Sequence, residues 1–534
     1  MINNDGMRGV LKWLSMALVI VSCGKESAPY ERSVNYEYGR NLSHEKIVLG
    51  ERLENPYKTE NMRRALSSLY PTKAEHAVIQ TTDLYVRFLP ADQSEYELLD
   101  SLGLEMVDHP LDYSIAVEGD WYHDPDISED SMTWQYAVVP KDFVFPDVRY
   151  EVIDECFMSE NSPATRSVEG IDWELVERQA YTLTGNAGML CDNTTTKSDK
   201  ATPSGRITIV DKDANGGKPF GVAGVCVSCN SFIKFDKTYT DRDGYYTMNK
   251  QYSSNPRYRL IFENSKGFSI GFNLILLPAS ISTLGEASPL GVTMTVTEES
   301  EDKLFRRCVV NNAAYDYYTR CGKEDMDITP PPSDLRLWIF RGLEASSAVM
   351  LHHGTVLENE FLKKYLGDFA PLIYYFLPDI TIGTADKRTY QSIYSAVCHE
   401  LAHASHFMKT GTAYWDKYIF YIIKAFVLSG GLAYGDGTGE YAGYCDVGES
   451  WAYYMEGKMF KERYGGSTPN FGTSFWFYPQ ILRYLDERGI VCSDIFSVLN
   501  GAVTDRQSLK TALLAVFPNK KAIINQAFSR YGYE

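Results

Sequence analysis

The stretch "SAVCHELAHASHF", Ser395–Phe407, decides how the rest of the chain is read. His399 and His403 stand four apart with Glu400 between them, and on a helix that spacing turns both imidazoles to one face, about one turn from each other. Two neutral imidazoles so placed are donors for a Zn²⁺ ion, and Glu400 lies close enough to act as general base toward a water molecule attacking a carbonyl. Apolar Leu401 and Ala402 lay the same helix against a core. The pattern asks for a third donor.

His406 falls on the same face, but on a straight helix its Cα lies about 10.5 Å along the axis from that of His399, too far for three imidazoles to meet one ion. It is expected beside the site or toward a substrate. Downstream of the glycine-rich "GGLAYGDGTGEYAGYCDVG" (430–448), "ESWAYYMEGKMF" (Glu449–Phe460) reads as a second helix with a carboxylate in its first turn, a place the helix dipole favours even without a metal. Asp446, Glu440 and Asp436 are further carboxylates of this region. Tyr441, Tyr444 and Tyr453 are candidate donors to an oxyanion, and His352 and His353 are candidates to line the cleft.

Taken together, residues 330–460 resemble the gluzincin-type zinc metallopeptidases. The resemblance implies Zn²⁺ held by His399, His403 and Glu449, with Glu400 as base and the small Ala452 as the point where the second helix approaches the first. Asp446 is the alternative third ligand, as in the aspartate-ligated zincins. The thermolysin-like branch orients its first histidine with an Asp four residues after the ligand Glu; here that position is Tyr453. An extended substrate is expected along the strand edge at Ile373–Gly383.

The chain has 534 residues, enough for several domains, and a formal net charge of −18, which argues against nucleic acid or an anionic lipid surface as partner. Near the N-terminus, Arg8 and Lys12 precede the apolar "WLSMALVIVS" (Trp13–Ser22), too short to span a bilayer comfortably. Its end, "IVSC", resembles a bacterial lipobox. That implies a signal peptide over 1–22, lipidation of Cys23, and an exported lipoprotein anchored to a membrane, the outer membrane by expectation.

The expected fold is multidomain α+β. A tether and short helix cover 23–71, with Thr59 as N-cap. A small α+β domain covers 72–200, with strands at "DLYVRFLP" and "TWQYAVVP" and helices at "SEYELLDSLG" and "VRYEVIDECF". A β-sandwich covers 203–298, and a mainly helical zincin-like domain covers 300–534, with strands at "LRLWIFRG" and "IYYFLPDITIG" and a helix at "LENEFLKKYLG" between them. In the sandwich, "GRIT", "GVAGVCV" and "TDRDGYY" resemble the carboxypeptidase regulatory-like domain, a transthyretin-like module that implies a scaffold without catalytic residues.

Other motifs carry less. "DKDANG" (Asp211–Gly216) opens like an EF-hand loop but has Val222 where a bidentate Glu is needed, so it and "DRDG" (Asp241–Gly244) read as turns. "CVSC" (226–229) lacks a second pair for structural zinc, and Cys308 with Cys321 is a candidate disulfide. The whole resembles uncharacterised zinc-peptidase-like lipoproteins of gut and oral Bacteroidetes. The expected activity is hydrolysis of protein or peptide amide bonds. The competing expectation is a non-catalytic surface lipoprotein that binds glycan or peptide through a degenerate zincin domain, with Tyr453 as its sequence support.

Overall fold

In a computed structural model the described residues are 46–74, 79–128, 131–162, 170–191, 200–271, 279–300, 302–322, 326–355, 378–387, 389–429, 434–467 and 469–532. The expected signal peptide over 1–22, Cys23 and the helix expected at 357–367 lie outside them. No helix among the described residues is long and apolar enough to cross a membrane.

The first unit pairs β1 (Val48–Arg52) with β3 (Tyr113–Val117), and sets β2 (Asp83–Leu89) between β4 (Gln135–Pro140) and β5 (Arg149–Cys156), all antiparallel. Helices α1 (Thr59–Leu69) and α3 (Trp173–Leu183) bury Met62, Leu66, Val176 and Ala180 together. Helix α2 (Gln93–Ser101) sets Leu99 on Val86, Phe88 and Val139. Two expectations change here. Thr59 is the first helical residue rather than the cap, which is Lys58. The segment 149–156, expected as a helix, is edge strand β5: Tyr150 and Val152 are as exposed as their charged neighbours, so the strand lacks the alternation that would have marked it.

The strand-rich region forms two sheets. The smaller has β6 (Ser204–Ile209) between β10 (Tyr245–Thr247) and β14 (Met294–Val296), with β7 (Phe220–Gly221) also on β6. In the larger, β8 (Val225–Ser231) lies between β9 (Lys234–Tyr239) and β11 (Arg257–Asn264), and β11 also carries β13 (Ile281–Glu286). This sheet does not stop at residue 298. The two-residue strand β12 (Ser269–Ile270) pairs in parallel with β15 (Arg336–Phe340), and β17 (Ile380–Gly383) and β16 (Ser347–Ala348) follow, making eight strands. Of the strand expected as the substrate edge, Ile373–Gly383, residues 373–377 lie outside the described residues, and the part that forms β17 is interior, between β15 and β16. Among the described residues the outermost strand on that side is the two-residue β16, too short for a sequence pattern to reveal.

Helix α4 (Asp302–Cys321) is tied to the turn before β8: the Asn312 side chain accepts from the Ala223 amide and donates to the Gly221 carbonyl. Cys308 and Cys321 sit on this one helix, about 20 Å apart along its axis, and cannot form the expected disulfide. Cys226 and Cys229 lie three apart on β8, hence on opposite faces. All cysteines among the described residues are buried.

Helix α5 (Tyr390–Thr410) carries the histidines. Thr389 caps it, its hydroxyl accepting from the Ser392 amide in a capping box, and Gly411 ends it with φ 80°. After α6 (Thr412–Ser429) comes α7 (Ala442–Tyr464), then α8 (Gln480–Asp486), α9 (Cys492–Val498), α10 (Arg506–Val516) and α11 (Lys521–Ser529).

Arg463, at the end of α7, ties these parts together. Its Nε and Nη2 donate to Asp211 Oδ2 at 3.0 and 2.8 Å, and Tyr464 donates to the same oxygen at 3.0 Å. Its guanidinium lies 4.7 and 4.8 Å from the rings of Tyr390 and Tyr394 in α5, and 5.2 Å from Phe220 in β7. Asp211, first residue of the EF-hand-like turn, is fully buried and taken by a cation of the chain itself. Removing one partner of such a buried pair strands the other charge, so Asp211→Ala is expected to cost roughly 3–5 kcal/mol in denaturant unfolding, and Asp211→Ala with Arg463→Met markedly less. An unchanged midpoint in the single variant would show that this clasp is not structural.

Candidate metal centre

Helices α5 and α7 cross with small residues at the contact. Ala402 and Ala452 are wholly buried, and Trp451 Nε1 of α7 donates to the Ala402 carbonyl at 3.1 Å. Across this contact Glu449 reaches both histidines: its Oε2 is 3.5 Å from His399 Nε2 and its Oε1 is 3.5 Å from His403 Nε2. That is long for a strong N–H···O bond but near the ~3.3 Å separating donors around a tetrahedral ion with bonds of ~2.0–2.1 Å. His399, His403 and Glu449 each offer a ligand atom, all within 4.8 Å of one another, and this buried group can hold a metal ion.

Glu449 is not in the first turn, as the sequence suggested. Helix α7 begins at Ala442, so Glu449 sits in mid-helix at 0% exposure, where a terminal dipole explains nothing. Burial would raise its carboxyl pKa, but the imidazoles of His403 and His399 overcome that and hold it well below the usual range. Burial lowers the pKa of His403 in spite of Glu449, favouring the neutral ring a metal requires. Glu400 is 1% exposed and its Oε2 has no hydrogen-bond partner; burial, with Glu449 and Glu456 nearby, pushes its carboxyl up to about 8.

Two supporting residues went unseen in the sequence. Glu456 Oε2 lies 3.3 Å from His399 Nδ1, and its Oε1 accepts from Ser395, one turn before His399, at 2.7 Å. It stands two turns after Glu449 on the same helix face, and that spacing was the available signal. A carboxylate behind a histidine fixes its tautomer and leaves Nε2 for the metal. Tyr418 of α6 donates its hydroxyl to Glu449 Oε1. Gly448 leaves room for it, since a Cβ there would stand only 3.2 Å from the Tyr418 ring. No sequence pattern distinguished Tyr418 from its aromatic neighbours.

The other candidates fall elsewhere. Asp446 is engaged by Arg506 at 2.6 Å and accepts from Ser450, and it stands outside the group that can hold a metal ion. His406 is fully buried between Tyr414 and Trp415, with neither ring nitrogen hydrogen-bonded, and burial takes it down to about 3. Tyr444 packs on Tyr414 and receives a hydrogen bond from Lys417, while Tyr441, in the left-handed conformation that starts α7, packs on Phe420 and Tyr444. Tyr453 does reach the centre: its ring is 4.3 Å from that of His399 and its hydroxyl 3.2 Å from that of Tyr434. His353 bridges Asp379 and Asp334, and His352 lies beside it. Glu440 and Asp436 are exposed.

No family model, curated protein or solved structure matches this chain. The side chains themselves therefore recommend a function.

Proposed function

We propose that the chain is a zinc-dependent peptidase of gluzincin type, exported and anchored through a lipid on Cys23, acting on protein or peptide substrates. The observation that carries this is the convergence of His399, His403 and Glu449 on one buried point with the unpartnered Glu400 carboxyl beside His399. Two imidazoles and a carboxylate are the donor set of hydrolytic zinc sites, where the ion acts as a Lewis acid and lowers the pKa of water. Within that frame Glu400 takes the proton of the attacking water and passes it to the leaving amine, Glu456 holds His399, and Tyr418 holds Glu449. The sequence argument for a degenerate, merely binding domain was the missing Asp at Tyr453; Glu456 supplies the carboxylate from one turn further along.

The test is hydrolysis of a peptide library by the zinc-loaded protein. Cleavage should disappear with 1,10-phenanthroline and return with about one equivalent of zinc per chain. A zinc-loaded protein that cleaves no member of a broad library would overturn the proposal.

A further inference from the structure

A cavity lies along the sheet from α5, where the first unit meets β8, β11 and β13. It has a volume of about 300 Å³, at the lower end for small-molecule pockets. Apolar side chains of Leu53, Leu111, Met189 and Phe232 line one part of it, and Arg257 and His109 another. Arg257 is 6% exposed, and its Nε has no hydrogen-bond partner. Its Nη1 donates to Glu118 Oε1 at 2.9 Å and its Nη2 pairs with Glu118 Oε2, while Nε has no acceptor. His109 Nδ1 is fixed by Asp108 at 3.0 Å, leaving Nε2 for a ligand.

The surrounding charge points the same way. Arg259 lies two residues on along β11, on the same face, buried to 3% exposure, with Asn230 accepting from its Nη2 and no partner on its Nε. Burial and the neighbouring Arg257 bring Arg259 down to about 10, and burial with both arginines lowers His109. Acidic groups are present too: Asp108 is committed to His109 and the Tyr122 amide, and the exposed Glu286 stands across from Arg257 at the rim. A buried guanidinium edge without an acceptor is costly, and an anion placed there removes that cost.

We propose that this cavity binds a small organic carboxylate, its head group on Arg257 Nε and His109 and its hydrocarbon body against Leu111, Met189 and Phe232. A neutral isostere forfeits the charge-assisted bonds, and inorganic phosphate forfeits the apolar contacts.

The experiment titrates the full chain with straight-chain carboxylates from acetate to decanoate, their primary amides, and phosphate, by calorimetry at constant ionic strength. The expected result is saturable binding that tightens with chain length to a limit, with each amide and phosphate weaker by about tenfold or more. Arg257→Gln should lose binding by a similar factor at unchanged zinc content. Because that variant also breaks the pair with Glu118, Met189→Trp serves as a second: it fills the cavity, leaves the cations in place, and should abolish binding. Absence of saturable heat for every carboxylate up to about 10 mM, amides binding as well as acids, or wild-type binding in Met189→Trp would each overturn the proposal.

Discussion

A Glu449→Ala chain should carry no zinc under conditions in which the parent carries about one ion per molecule. The substitution removes the only donor that α7 brings to the pair on α5, and two imidazoles alone fall short of the three protein ligands of a hydrolytic site. It also removes the acceptor of the Tyr418 hydroxyl. Glu456→Gln, measured beside it, should keep the ion but hold it about 10–100-fold more weakly, because His399 loses its orienting carboxylate while its ring remains against Tyr453. Elemental analysis after dialysis, with competition against a chromophoric chelator, separates these outcomes. Full zinc in Glu449→Ala would mean that the convergence on α7 is an ion-pair network and not a ligand set.

The second large effect belongs to Glu400. Replacing it with glutamine should leave zinc content unchanged and lower hydrolysis by about 10²–10⁴-fold, the usual contribution of a general base. Glutamine keeps the shape of the side chain and cannot accept a proton. The measurement is kcat/KM on whichever peptide the library yields, with zinc determined on the same sample. Parental turnover in Glu400→Gln would remove this carboxyl from the chemistry. Loss of zinc together with activity would mean that Glu400 supports the ion's surroundings instead.

Much of this centre was legible because a helix repeats every 3.6 residues: once His399 and His403 were four apart, their common face followed without a structure. Glu449 was legible by residue type and by Ala452 three positions on, yet its place in the helix was misjudged, because the glycines before it suggested loop and α7 runs back to Ala442. Glu456 obeys the same periodicity but was passed over, the orienting carboxylate having been sought only at Tyr453. The substrate-side strands were harder. The pairing of β12 with β15 rests on two residues, and β16 is equally short, so neither the interior place of β17 nor a sheet running past residue 298 left a pattern of its own. Edge strand β5, exposed along most of its length, offered charges at spacings a helix also tolerates.

The Arg463 clasp bears on portability. A metallopeptidase domain is commonly imagined as a cassette that evolution or an experimenter can lift from one chain to another. Here the guanidinium of Arg463, near the end of α7 and against the start of α5, is paired with Asp211, ahead of β7, and among the described residues β15 is joined to β11 only through β12. A shortened chain of residues 300–534 would keep all three donors in its covalent sequence. It would lose the counter-charge of Arg463 and the strands beside β15, so that shortened chain is not expected to present the centre as the full chain does.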